Sequence, residues 1–170
     1  MKDGIRDISN LDHDYFMSIA IEEAISAGNR GDKAIGAVLV HNGKIVDKSS
    51  NQWKTMNSKV HHAENCLVMN NAQFLRNHGN NCILYTTAEP CLMCIGTIIM
   101  ADIRNIVIGT RDPHMHTEDF IESHEWLKNN IFNYIVGVKE EDCTNLILKY
   151  CDDNTKERLL GSKENITDGD

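Results

Sequence analysis

The apolar positions of this chain change period along its length, and those changes divide it into elements. Phe16, Ile19, Ala20, Ala24 and Ala27 recur at helical spacing and predict a first helix over residues 14–27. Gly28-Asn29-Arg30-Gly31 ends it, because glycine readily takes the left-handed conformation that closes a helix. Ile35-Gly36-Ala37-Val38-Leu39-Val40 is an apolar run of strand length, and His41-Asn42-Gly43 supplies an Asn-Gly turn of the kind that closes a tight hairpin. A second strand through Lys44-Ile45-Val46 toward Asn51 is therefore expected antiparallel to the first.

Residues 62–77 fit a second helix, Cys82-Ile83-Leu84-Tyr85-Thr86 a third strand and Ile106-Val107-Ile108 a fourth. Pro90 is expected at the first position of a third helix running to about Met100, where its missing N–H leaves nothing unsatisfied. The 23 residues between the fourth strand and a fifth, Phe132 to Val138, leave room for a helical crossover, which predicts that these two strands are parallel. A last helix near 141–150 completes an order that predicts one mixed sheet with helices on both faces. From Asp152 the residues turn polar and acidic. The chain thus divides into a domain over 1–151 and a tail over 152–170, read either as frayed or as a lid.

Composition narrows the picture. A chain of 170 residues can bury a core as one domain without cross-links. It has no run of 18 apolar residues, so nothing is expected to span a membrane, and Met1 to Asp7 lacks the apolar stretch of a secretory signal. Six cysteines in such a setting point to a reducing compartment, the cytoplasm, where thiols fill cores or bind metal. The net charge of −8, from 17 basic and 25 acidic residues, opposes a general phosphate-binding field and favours a small substrate over a polynucleotide.

The candidate chemistry lies in His62-Ala63-Glu64, followed after 25 residues by Pro90-Cys91-Leu92-Met93-Cys94. His62, Cys91 and Cys94 offer three ligands to one metal; zinc held by three protein ligands keeps its fourth position for water, as catalytic sites do. Cys91 and Cys94 lie one helical turn apart, so their sulfurs project from the same side. Both halves of the motif fall at predicted helix N-termini, where unpaired N–H groups favour thiolates. Glu64, beside these ligands, is placed to take a proton from the water that zinc acidifies to a pKa of roughly 7. Cys66 leaves a second arrangement open. It lies one turn beyond His62, and a His62, Cys66, Cys91, Cys94 tetrahedron would be a closed structural site in a zinc-stabilised binding module. Otherwise Cys66 faces the core as a small hydrophobe.

These motifs, together with Gly36-Ala37-Val38-Leu39-Val40-His41-Asn42, Leu84-Tyr85-Thr86-Thr87-Ala88-Glu89 and Ile108-Gly109-Thr110-Arg111-Asp112, resemble the cytidine deaminase-like superfamily. The likeness runs from about Tyr15 to Tyr150 and is strongest to the branch of tRNA adenosine deaminases, guanine deaminases and fungal-type cytosine deaminases. It implies a three-layer α/β/α sandwich around a five-stranded mixed sheet, usually assembled as a homodimer. It implies zinc on His62, Cys91 and Cys94, with Glu64 carrying a proton from water to a ring nitrogen and on to the departing ammonia. It further implies that Asn51 and the Ala63 N–H contact the base and that Asp112 lies near the substrate.

Two segments depart from the family pattern. Lys33-Ala34-Ile35 stands where a proline-containing stretch is usual, and Ser58-Lys59-Val60-His61 replaces an Asp-Pro-containing one. The last helix and tail are net acidic, whereas tRNA-editing members tend to be basic there. The expected function is therefore hydrolytic deamination of a small nucleobase or nucleoside of cytosine, guanine or adenine type, with tRNA adenosine deamination as the alternative. Residues 113–120 are expected to line the pocket and select substrate, and Trp126 to sit in the core.

Overall fold

The hairpin forms where the Asn-Gly turn predicts it. In the computed structural model, which describes residues 4–161, β1 (Gly36–His41) and β2 (Lys44–Ser50) pair antiparallel around Asn42 and Gly43, both with positive φ. β3 (Cys82–Ala88) joins the other edge of β1, also antiparallel, and β4 (Asn105–Thr110) and β5 (Asn133–Val136) extend the sheet in parallel. The strand order is β2-β1-β3-β4-β5, the five-stranded mixed sheet expected.

Alternation along the strands divides the core between the two faces of the sheet. Val38, Val40, Ile83, Tyr85 and Val107 pack against Phe16, Met17 and Ala20 of α1 (His13–Arg30) and Cys143 of α7 (Glu140–Tyr150). Ala37, Leu39, Leu84 and Ile106 belong to the second cluster, with Leu67 and Val68 of α2 (Ala63–Asn70) and Ile95 and Ile98 of α4 (Leu92–Met100). The result is the predicted α/β/α sandwich. No helix among the described residues is long and apolar enough to cross a membrane.

Several boundaries differ from the periodicity, each for a local reason. α1 continues through Gly28 to Arg30, and Gly31, at φ 83°, closes it. Gly28 is required for packing instead, since a Cβ there would lie 2.5 Å from the Tyr150 ring. The helix predicted over 62–77 breaks at Asn71 into α2 and α3 (Ala72–His78). The Asn71 side-chain amide donates to the Leu67 carbonyl at 2.8 Å and to Asp47 at 2.7 Å, competing with the helical ladder. Pro90 lies two residues before the first helical position, Leu92, because Cys91 is the N-cap of α4. The crossover from β4 to β5 is two short helices, α5 (Thr117–Ser123) and α6 (Glu125–Asn130). Trp126 is 44% exposed on α6 and not in the core, with the Arg104 guanidinium 5.6 Å from its ring.

The segment expected to be a tail is ordered through α8 (Asp153–Leu160). Asp152 caps it by accepting the Thr155 N–H at 2.7 Å, and Leu159 is buried against the core. Residues 162–170 lie outside the described residues.

Gly36 is the point at which α1 and the sheet come closest. A Cβ on it would stand 2.1 Å from the Ala20 carbonyl oxygen and 2.6 Å from the Ala24 nitrogen, both backbone atoms that cannot rotate away. Gly36→Ala, which ordinarily favours a strand, should here destabilise by about 1–3 kcal/mol. Thermal denaturation checks this; a midpoint equal to wild type would show that α1 moves aside freely.

Candidate active site

Two helix N-termini converge on one point. His62 is the N-cap of α2, in extended backbone at φ −77° and ψ 153°, and Cys91 is the N-cap of α4 at φ −69° and ψ 167°. Cys94 follows in the first turn of α4 and is fully buried. Neither cap makes a side-chain hydrogen bond to its own helix, so both side chains are left to meet each other.

His62 Nδ1 stands 3.6 Å from Cys91 Sγ and 3.5 Å from Cys94 Sγ, and the two sulfurs are 3.6 Å apart. These separations test whether zinc fits. A tetrahedral ion with the usual Zn–S and Zn–N bond lengths requires about 3.8 Å between two sulfurs and about 3.6 Å between sulfur and nitrogen. The triangle matches to within about 0.2 Å, and three ligands leave the fourth position open. Ligation through Nδ1 places the imidazole proton on Nε2. Among the described residues this is the one group of His, Cys, Asp and Glu side chains close enough to hold a metal. Cys66 does not join it. That thiol is half-buried at a separate cleft beside Gln52 and His61, neither in the core nor in a four-ligand site. Cys82, Cys143 and Cys151 are buried.

The electrostatics suit a cation. Hydrogen bonding with Cys94 and His62 lowers the Cys91 thiol to about 4 against the opposing effect of burial. The Cys94 thiol is held well above its ordinary value by the hydrogen bond with Cys91 and by burial. His62 is raised, chiefly by its hydrogen bond to Cys91. One thiolate is thus favoured by the protein itself, and a metal supplies the positive charge that favours the second.

Glu64 sits in the first turn of α2 and is 3% exposed, its Oε1 accepting from the Thr86 hydroxyl at 3.3 Å and its Oε2 3.8 Å from Cys94 Sγ. Burial pushes its carboxyl above the usual carboxylate range. It lies beside the metal cluster without being a member of it, as a proton carrier requires. Ala63 is buried at the first position of α2, so its N–H has no partner within the helix. Asn51 is buried at the end of β2, with its Oδ1 accepting the Trp53 N–H at 3.0 Å and its carbonyl accepting from Arg30 at 3.1 Å. Asp112 is 2% exposed and already engaged: Oδ1 accepts from the His114 and Met115 N–H groups, and Oδ2 is 3.6 Å from Arg158 of α8. Its carboxylate holds the 112–116 turn and ties α8 to it.

Three further residues frame the site. Glu89, buried just before Pro90, accepts the Asp112 N–H and the Tyr134 hydroxyl, each at 2.8 Å. The Thr117 hydroxyl, fully buried, donates to the Pro90 carbonyl at 2.9 Å. The 113–120 segment is thereby fastened to the cysteine motif. Glu89 is adjacent to the motif in sequence, but nothing in sequence spacing links it to Tyr134, or Pro90 to Thr117.

Residues 11–110 match the family model of the cytidine and deoxycytidylate deaminase zinc-binding region. The tRNA-specific adenosine deaminase of Agrobacterium fabrum is 38% identical over 100 residues, covering 58% of this chain and 66% of that protein. The tRNA-specific adenosine deaminase of Buchnera aphidicola subsp. Baizongia pistaciae is 32% identical over 139 residues, 80% of this chain and 86% of the relative. Among solved structures, a tRNA:A34 deaminase studied for A-to-I editing at the wobble position of transfer RNA superimposes with a TM-score of 0.69. That structure is 32% identical and is covered over 78% of this chain and 98% of its own. With the ligand triangle in place, this chain belongs to the cytidine and deoxycytidylate deaminase family, and it is a zinc-dependent hydrolytic deaminase.

Proposed function

We propose that this chain deaminates adenosine to inosine in tRNA, with water as co-substrate and ammonia as product. The observation that carries the reading is the 32% identity, sustained over 139 residues, to a tRNA-specific adenosine deaminase. It outweighs the preference for a small substrate drawn from the net charge, which describes the whole chain and not the groove beside the site.

In this reading His62, Cys91 and Cys94 would hold the zinc, which when bound would supply Lewis acidity and an acidified water. Glu64 accepts a proton from that water, delivers it to the ring nitrogen and then carries the second proton to the leaving amine. The Ala63 N–H and the Asn51 side chain orient the base. Asp112 supports the rim through the 112–116 turn. The apolar side chains Met69, Met93 and Met100, exposed together on α2 and α4, support the homodimer as part of the same proposal.

Ammonia release measured across free bases, nucleosides and deacylated tRNA tests the reading. Turnover is expected with tRNA alone. Turnover of a free base or nucleoside, with none of tRNA, would overturn it.

A further inference from the structure

A cleft of about 470 Å³ opens between the loop after α1, the loop after β2 and the junction of α7 with α8. Lys33, Lys54 and Lys59 line it with Trp53; its carboxylates are Asp32 and Asp152. The carboxylates are occupied. Asp32 accepts from the Lys54 and Thr55 N–H groups at 2.8 and 2.9 Å, from the Thr55 hydroxyl at 2.6 Å and from Arg30 at 3.3 Å. Asp152 is the cap of α8. The three ammonium groups, by contrast, make no ion pair among the described residues.

Lys33 is the most exceptional of the three. Its Nζ lies 3.6 Å over the Trp53 ring, and burial, aided by the charge of Arg158, lowers it to about 8. The Trp53 N–H donates to the Asn51 side chain and the Gln52 N–H to the His61 carbonyl, each at 3.0 Å, which ties this wall of the cleft to Asn51 and to the start of α2. Lys33 feels the Asp152 carboxylate without pairing to it, and a half-buried cation held this way is a standing cost that an incoming anion offsets. Lys33 and Lys59 also occupy the two segments where this chain departs from its family's pattern.

We propose that this cleft is a phosphate subsite: Lys33, with Lys54 and Lys59, holds the phosphodiester flanking the reacting base, and Trp53 is a positioning residue that fixes the Lys33 ammonium. The inference rests on the tRNA reading, because a free base or nucleoside has no phosphate to offer. It also shows how a net acidic chain can engage RNA, through local placement of a few cations.

The test is steady-state kinetics of the full zinc-loaded chain on deacylated tRNA across a salt series, with zinc content measured for each variant. Lys33→Gln should raise KM about tenfold at low salt, and should flatten the dependence of log kcat/KM on log salt by about 0.7, the share of one phosphate contact. Lys33→Arg should restore both. Trp53→Ala should reproduce the KM defect and Trp53→Phe relieve it, since the phenyl ring keeps the cation–π contact. If tRNA is turned over but Lys33→Gln and the Lys33→Gln/Lys54→Gln/Lys59→Gln triple keep the wild-type KM and salt slope, the subsite is refuted and the function stands. If the wild-type chain turns over only free bases or nucleosides, the function falls and the subsite with it.

Discussion

Replacing Glu64 by glutamine should leave the zinc content intact and lower turnover by about two to four powers of ten, the usual worth of a positioned acid–base group. The geometry separates the two effects. The ligand triangle consists of His62 Nδ1 and the sulfurs of Cys91 and Cys94, all within 4.8 Å of one another, and Glu64 contributes no atom to it. Glutamine keeps the size of the side chain and can still accept from Thr86, 3.3 Å away, but it cannot take a proton from water. Folding should not suffer, because burial opposes the charged carboxylate and the neutral amide escapes that cost. The measurements are kcat on tRNA, zinc by elemental analysis and the thermal midpoint. Wild-type turnover in a zinc-loaded Glu64→Gln variant would remove Glu64 from the mechanism.

Cys94→Ser should abolish both zinc retention and turnover. Cys94 is fully buried in the first turn of α4, and its thiol is held protonated unless a cation arrives. Serine places a poorly ionising hydroxyl in the same space, leaving two ligands where three are needed. The fold carries a readable consequence. A ligand at 100 times its dissociation constant stabilises the native state by about 2.7 kcal/mol, which for a chain of this size is roughly 5–10 °C in Tm. A strong chelator should lower the wild-type midpoint by that order and leave Cys94→Ser unmoved. A Cys94→Ser protein that keeps one zinc and responds to chelator like wild type would exclude Cys94 as a ligand.

The relation between sequence and site is uneven, and particular residues show why. His62, Glu64, Cys91 and Cys94 are legible because metal ligation needs specific atoms, and their spacing about two helix starts is a local property. The hairpin at Asn42-Gly43 and the two-faced core are legible for the same kind of reason: turn conformation and side-chain alternation are decided within a few residues. The break at Asn71 was not, because it depends on Asp47, 24 residues away in sequence and brought near by the hairpin. Trp126 followed the average burial of its residue type and proved exposed.

The sequence by itself determined the order of the main elements, the five strands and the candidate metal-binding and proton-carrying side chains. All of these follow from local conformational preference or from the chemistry of individual residue types. Tertiary structure decided what no spacing encodes. It drew three ligands from two helix N-termini into one triangle, engaged Asp112 with α8, and fastened Thr117 to Pro90. It also gathered Lys33, Lys54 and Lys59 into one cleft inside a chain of net charge −8. Total charge is a sum and carries no positions. A substrate meets the field of the few groups within reach, and which groups those are is set by the fold.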